Sequence, residues 1–279
     1  MKSLLPFLLI LFFLCLGVQS SSAQGITGRA YYKSSSKISI SMDSTKMNPE
    51  QMSQIQAALK KQMEQNYILS FTQTESTWKK EASLGGGPAT ASSGGAVFMV
   101  ASSGEGSTLY KNILEQSYLQ EQEMMGKEYL IQDKLTPAEW ELSGETKKVG
   151  NYTAQKASFT RVVDSQRFST GMTEMENVKD TIQVTVWFTP EIPVPHGPEN
   201  YFGLPGLILE VQNQGRTLIC EKIELNPSAE PVLIERPSKG KEITQAEFRK
   251  VQEEGMKQMM NRYQGKPGDG TNMTIRIGN

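Results

Sequence analysis

Histidine and cysteine are nearly missing from this chain. In 279 residues there is one histidine, His196, and there are two cysteines, Cys15 and Cys220. A Ser-His-Asp hydrolase would have to recruit His196, and no Gly-x-Ser-x-Gly elbow accompanies it. A cysteine-histidine pair would rest on Cys220 alone. His196 lies in "VPHGPEN" and reads as a bystander, and Cys220 lies in "RTLICEKIEL" and reads as an inert strand thiol. One histidine and one cysteine fall short of the three or four ligands of a zinc site. No catalytic residue, metal site or cofactor is therefore assigned. Charge of one sign is lacking too: 29 basic residues stand against 30 acidic ones, a balance without the basic face of a nucleic-acid binder.

Long apolar runs are confined to the first residues. "MKSLLPFLLILFFLCLGVQSSSAQG" has Lys2 as a positive start, an apolar stretch from Leu4 to Val18, and small residues at Ser21 and Ala23. This is the pattern of a secretory signal peptide over 1–23, cut before Gln24, and the stretch is shorter than the roughly 20 residues of a spanning helix. Cleavage leaves 256 residues, one cysteine and no internal disulfide. No transmembrane segment is expected in the mature chain, which should form one β-rich domain over 24–264 followed by a flexible tail, 265–279.

What is present is alternation. "GITGRAYYKSSSKISISM" and "NYILSFTQTESTWKK" alternate as half-buried strands do. From Tyr110 to Leu225 short strands follow one another between Gly, Asn and Pro clusters, and "NQG" at 213–215 reads as a hairpin turn. Two helices are expected. One is "NPEQMSQIQAALKKQMEQN", with Asn48 as cap, Pro49 at the first position, and Met52, Ile55, Leu59 and Met63 on one face. The other, 244–264, opens on a Thr244/Glu247 capping box and carries Phe248, Val251, Met259 and Tyr263. The methionines suit adaptable packing better than copper binding. Residues 84–107 are Gly- and Ser-rich and read as a mobile insertion without the Gly-Lys-Ser/Thr of a phosphate loop. The fold class expected is α+β: a mostly antiparallel, curved, half-barrel-like sheet with two amphipathic helices.

Proline clusters at 190, 193, 195 and 198, so the link after Phe188 is stiff and unfit for a central strand. In "FGLPGLILE" the pair Pro205-Gly206 fits the two central positions of a type II turn, with Gly203 just before it, delivering Leu207 into a buried strand.

"VWFTPEIPVPHGPENYFGLPGLILEV" resembles the signature of the GLPGLI family, exported proteins widespread in Bacteroidetes and named for Gly203 to Ile208. The upstream "KEYLIQDKLTPAEWELSGETKKVGNYTAQKA", with Lys127, Asp133, Trp140 and Lys147, resembles the family as well. Ala154 stands where many members have a cysteine, so any role of that cysteine does not transfer. The resemblance implies an envelope location, in the periplasm or at the outer membrane, and a sheet like that of lipoprotein carriers, but no activity. The function expected is binding or carriage of a hydrophobic ligand or peptide, with Trp140, Trp187, Tyr201, Phe202, Leu204 and Leu207 lining or shaping the site. The same six residues read more simply as core packing. The alternatives are an assembly component docked to an outer-membrane protein and, behind it, a hydrolase.

Overall fold

The computed structural model describes residues 25–36, 38–42, 50, 53, 64–81, 89–93, 96–100, 107–167, 176–264 and 273–277. The expected signal peptide, almost all of the first expected helix, and most of the Gly/Ser-rich insertion outside its strands fall outside these residues.

The strands are β1 (Gly28–Ser36), β2 (Ile38–Met42), β3 (Gln65–Phe71), β4 (Glu75–Lys80), β5 (Ala89–Ser93), β6 (Ala96–Val100), β7 (Thr108–Asn112), β8 (Ser117–Met124), β9 (Lys127–Lys134), β10 (Glu141–Val149), β11 (Tyr152–Arg167), β12 (Glu176–Thr189), β13 (Leu207–Asn213), β14 (Arg216–Leu225), β15 (Lys241–Ile243) and β16 (Met273–Ile277). The helix is α1 (Gln245–Gln264). Twelve strands form one sheet in the order β10-β11-β12-β13-β14-β1-β3-β4-β7-β8-β9-β15; β5 pairs with β6, and β2 with β16. Every neighbour pair in the large sheet is antiparallel except β9 with β15.

The expectation of an α+β fold with two amphipathic helices is thus corrected. The fold is mostly β, and apart from Glu50 and Ser53, which are helical, the described helical residues belong to α1. The capping box forms as expected: the Glu247 amide donates to Thr244 Oγ1 and the Thr244 amide to Glu247 Oε2. Among its described side chains, α1 sets Phe248 against Tyr129 and packs Val251 on the core, with Gly255 against Met124 and Met125. One face of a twelve-stranded sheet needs a larger cover. The chain supplies it from a loop.

Chain geometry shows that the sheet is rolled. Leu135 to Trp140 connects β9, eleventh in the strand order, to β10, which is first. Laid flat at strand spacing these two strands would be roughly 45–50 Å apart. Six linking residues reach at most about 25 Å. The sheet therefore curls until β9 and β10 approach, without closing into a barrel. The concave face carries Ala30, Tyr32, Leu69, Phe71, Trp78, Leu109, Ile131, Val184, Val186 and Leu218, all buried. On the convex face the extended segment 226–240 crosses from β14 to β15. Arg29 donates to its Glu230 and Pro231 carbonyls, Ile234 packs on Tyr110, Leu119 and Leu130, and Glu121 accepts the Ser238 and Lys239 amides.

Turns fix the register. Gln214 and Gly215, both at positive φ, close the β13–β14 hairpin as expected from "NQG", and Met125-Gly126 does the same for β8–β9. At the end of the roll away from the β12 exit, which we call the upper end, β11 and β12 continue past both neighbours. Their pairs from Thr160↔Gln183 to Arg167↔Glu176 have no third strand among the described residues.

Candidate functional site

The Pro-rich segment 190–206 enters the concave face from the lower end and plugs it. Ile192, Val194, His196, Gly197, Pro198, Tyr201, Phe202, Leu204 and Gly206 are buried. Its chemistry explains what lies opposite. Prolines at 190, 193, 195, 198 and 205 have no N–H, so the segment carries a surplus of carbonyl acceptors. Buried acceptors need donors. Side chains of the sheet and its flanks supply them: Trp140 Nε1 donates to Phe202 O (2.9 Å) and Gln73 Nε2 to Pro193 O (3.4 Å), while just past the segment, on β13, Ile208 O accepts from Tyr32 Oη (2.6 Å). Lys111, wholly buried on β7, donates to Gly197 O (2.7 Å), Glu199 O (2.6 Å) and Tyr201 O (3.5 Å). A lysine is a donor-only group with three hydrogens, which suits a cluster of three carbonyls. Burial lowers its pKa to about 7, and the Glu199 carboxylate pulls the other way.

His196 is fully buried in the same plug, near Phe71. Neither ring nitrogen has a hydrogen-bond partner; the Thr72 and Gln73 backbone lies close enough to favour the protonated ring but not in bonding geometry. Burial, helped by the Lys111 charge, lowers its pKa to about 3. A neutral imidazole sealed from solvent cannot meet a substrate, so this histidine is not a general base. Burial also raises the Cys220 thiol to about 12, in keeping with an inert thiol.

Tyr201, Phe202, Leu204 and Leu207, expected at a ligand site, belong to the packed interior. Trp140 is half-buried at its edge and meets Phe159 edge-on. Trp187 lies apart from the plug, under Lys147 (4.3 Å from Nζ to the ring centre). The Lys147 Nζ also pairs with the buried Glu210 at 2.6 Å, and Gln212 completes that carboxylate's partners. The "LPG" turn differs from the one expected. Gly206 does not have positive φ; its amide donates to Leu204 O (2.8 Å), an inverse γ-turn centred on Pro205. Positive φ (91°) falls at Gly203 instead. Gly206 is needed for space: a Cβ there would lie 2.1 Å from the Thr189 carbonyl oxygen.

The plug stops short of the upper end. Above its tip, Glu199 and Asn200, is a cavity of about 300 Å³ lined by Tyr67, Trp78, Lys80, Ser107, Leu109, Gln120 and Gln122. That volume is at the small end of ligand pockets. Trp78 and Leu109 give it an apolar floor, with Tyr67 stacked on Trp78 (4.8 Å, 8° between planes). Arg216 pairs with Glu199 at 2.5 Å and holds the tip in place. The side chains of Lys80, Gln120, Gln122 and Asn200 make no hydrogen bond or ion pair with the described residues. None of the six residues expected at a site lines this cavity. The available signal was the inward phase of "ESTWKK", "TLYKN" and "SYLQEQEM", which places Lys80, Leu109, Gln120 and Gln122 on the concave face. Among the described residues no group of three or more His, Cys, Asp and Glu is arranged to hold a metal ion, and no helix is long and apolar enough to cross a membrane.

No curated protein matches this chain. Among solved structures it is similar to PNGF-II in two crystal forms, C2 and P21, each at 13% identity and a TM-score of 0.45, covering 82% of this chain and 33% of that one. The chain thus spans about a third of the length of the structures it matches. Residues 140–210, from Trp140 through the plug to Glu210, match the family described as a protein of unknown function (Porph_ging).

Proposed function

We propose that this is a non-enzymatic binding protein of the cell envelope, of the GLPGLI type, exported through its N-terminal leader, and that its ligand occupies the upper cavity. The carrying observation is the set of polar side chains around an apolar floor, Lys80, Gln120, Gln122 and Asn200, that the described residues leave unpartnered. Asn200 is exposed and Lys80, Gln120 and Gln122 are half-buried, so water meets these groups when no ligand is bound, and their donors and acceptors stand ready beside the apolar floor. A mixed lining of this kind favours a small amphipathic molecule over the lipid chain or long peptide that an open apolar groove would take. The plug already fills the rest of the concave face.

Native mass spectrometry of the protein purified from its own envelope tests the reading. A bound small molecule is expected on the wild type and not on Gln120→Trp, whose indole fills the cavity. An unliganded mass for both, with both folded, overturns it. The alternative, an assembly component docked to an outer-membrane protein, is favoured by the β11–β12 extension, whose two edges are open among the described residues.

A further inference from the structure

The charge of the cavity lining narrows the ligand class. Two charged residues line it, Lys80 and Glu199. Glu199 is neutralised by Arg216 at 2.5 Å, whereas Lys80 has no ion pair among the described residues. The lining therefore carries one uncompensated positive charge. It sits on the same face as Trp78 and Leu109, because Lys80 follows Trp78 by two residues on β4 and Leu109 pairs with Trp78 across β7. The amides of Gln120, Gln122 and Asn200 provide donors and acceptors around it.

We propose that the cavity selects a small monoanion with an apolar body: the apolar part against Trp78 and Leu109, the anionic group on Lys80 Nζ, and the amides on the anion's remaining oxygens. This rests on the cavity being the ligand site. A cation of the same shape would meet the unpaired ammonium and be rejected, and a dianion would leave one charge unmatched in a partly enclosed space.

Phenylacetate and phenethylammonium share a ring and a short arm and differ in the sign of the charge. Calorimetric titration of each into the exported protein should show phenylacetate binding about three- to tenfold more tightly, the range of a partly exposed ion pair gained against one repelled. Lys80→Gln should remove the preference, and Lys80→Glu should reverse it. Thermal melts of both variants establish that they are folded. Equal binding of the two probes, or a preference that survives in Lys80→Gln, overturns the monoanion assignment and leaves the cavity as a ligand site for the native-mass experiment to judge. Binding of neither probe at millimolar concentration overturns the assignment as well.

Discussion

Gly206→Ala should be the most damaging small substitution in the chain, lowering stability by about 4 kcal/mol or more, in the range that marks a steric failure of the core. The new methyl would lie 2.1 Å from Thr189 O, 2.6 Å from Thr189 C and 2.9 Å from Pro190 N. All three are backbone atoms, so no side-chain rotation relieves the clash. β12 must separate from the start of β13, where Thr189 pairs with Leu207. Gly203→Ala is the matched control. Its φ of 91° costs a side chain about 1–2 kcal/mol, but its nearest neighbour, Pro137, is 3.6 Å away. Urea unfolding of the two variants separates close approach from turn geometry. If Gly206→Ala cost no more than Gly203→Ala, the "LPG" glycine would be a turn residue after all.

Lys111→Met should cost about 2–4 kcal/mol near neutral pH. It leaves the Gly197, Glu199 and Tyr201 carbonyls under the plug without a donor, at about 1–3 kcal/mol per orphaned group, and recovers part of that by removing a buried charge. The variant should also lose a pH dependence. The folded pKa of Lys111 is lowered to about 7 from 10.5, so between these values the unfolded chain binds a proton that the folded chain does not. Stability therefore rises with pH across that window, by at most about 1.4 kcal/mol per pH unit. Below it both states carry the proton and the slope vanishes. Urea midpoints compared at about pH 6 and about pH 9 should diverge more in the wild type than in Lys111→Met, since the methionine cannot titrate. Equal divergence would mean that Lys111 keeps its ordinary pKa, the three carbonyls then offsetting the full cost of burying its ammonium.

Local chemistry was legible where it acts over a few residues. The strand meander from β9 to β14, the "NQG" hairpin and the Thr244/Glu247 capping box depend on alternation, turn residues and a spacing of three, and each forms. The stiffness of 190–198 was legible as well, since proline sets its own φ wherever it stands. The helix count was not, because an amphipathic stripe states that a surface must be covered and not by what.

The sequence by itself determined that His196 and Cys220 cannot assemble the usual nucleophilic or zinc sites between them, and that a run of β-strands must bury one face. Tertiary structure decided the rest. Pairing of β14 with β1 joins two meanders into one sheet, and the short link Leu135 to Trp140 forces that sheet to roll. Rolling turns the Pro-rich connection into a plug, buries Lys111 beneath its excess carbonyls, and leaves a cavity beyond Glu199 and Asn200. These outcomes depend on contacts between residues tens of positions apart, such as Lys111 with Gly197, and on counting donors against acceptors across a shared interior. No window of neighbouring residues contains that information.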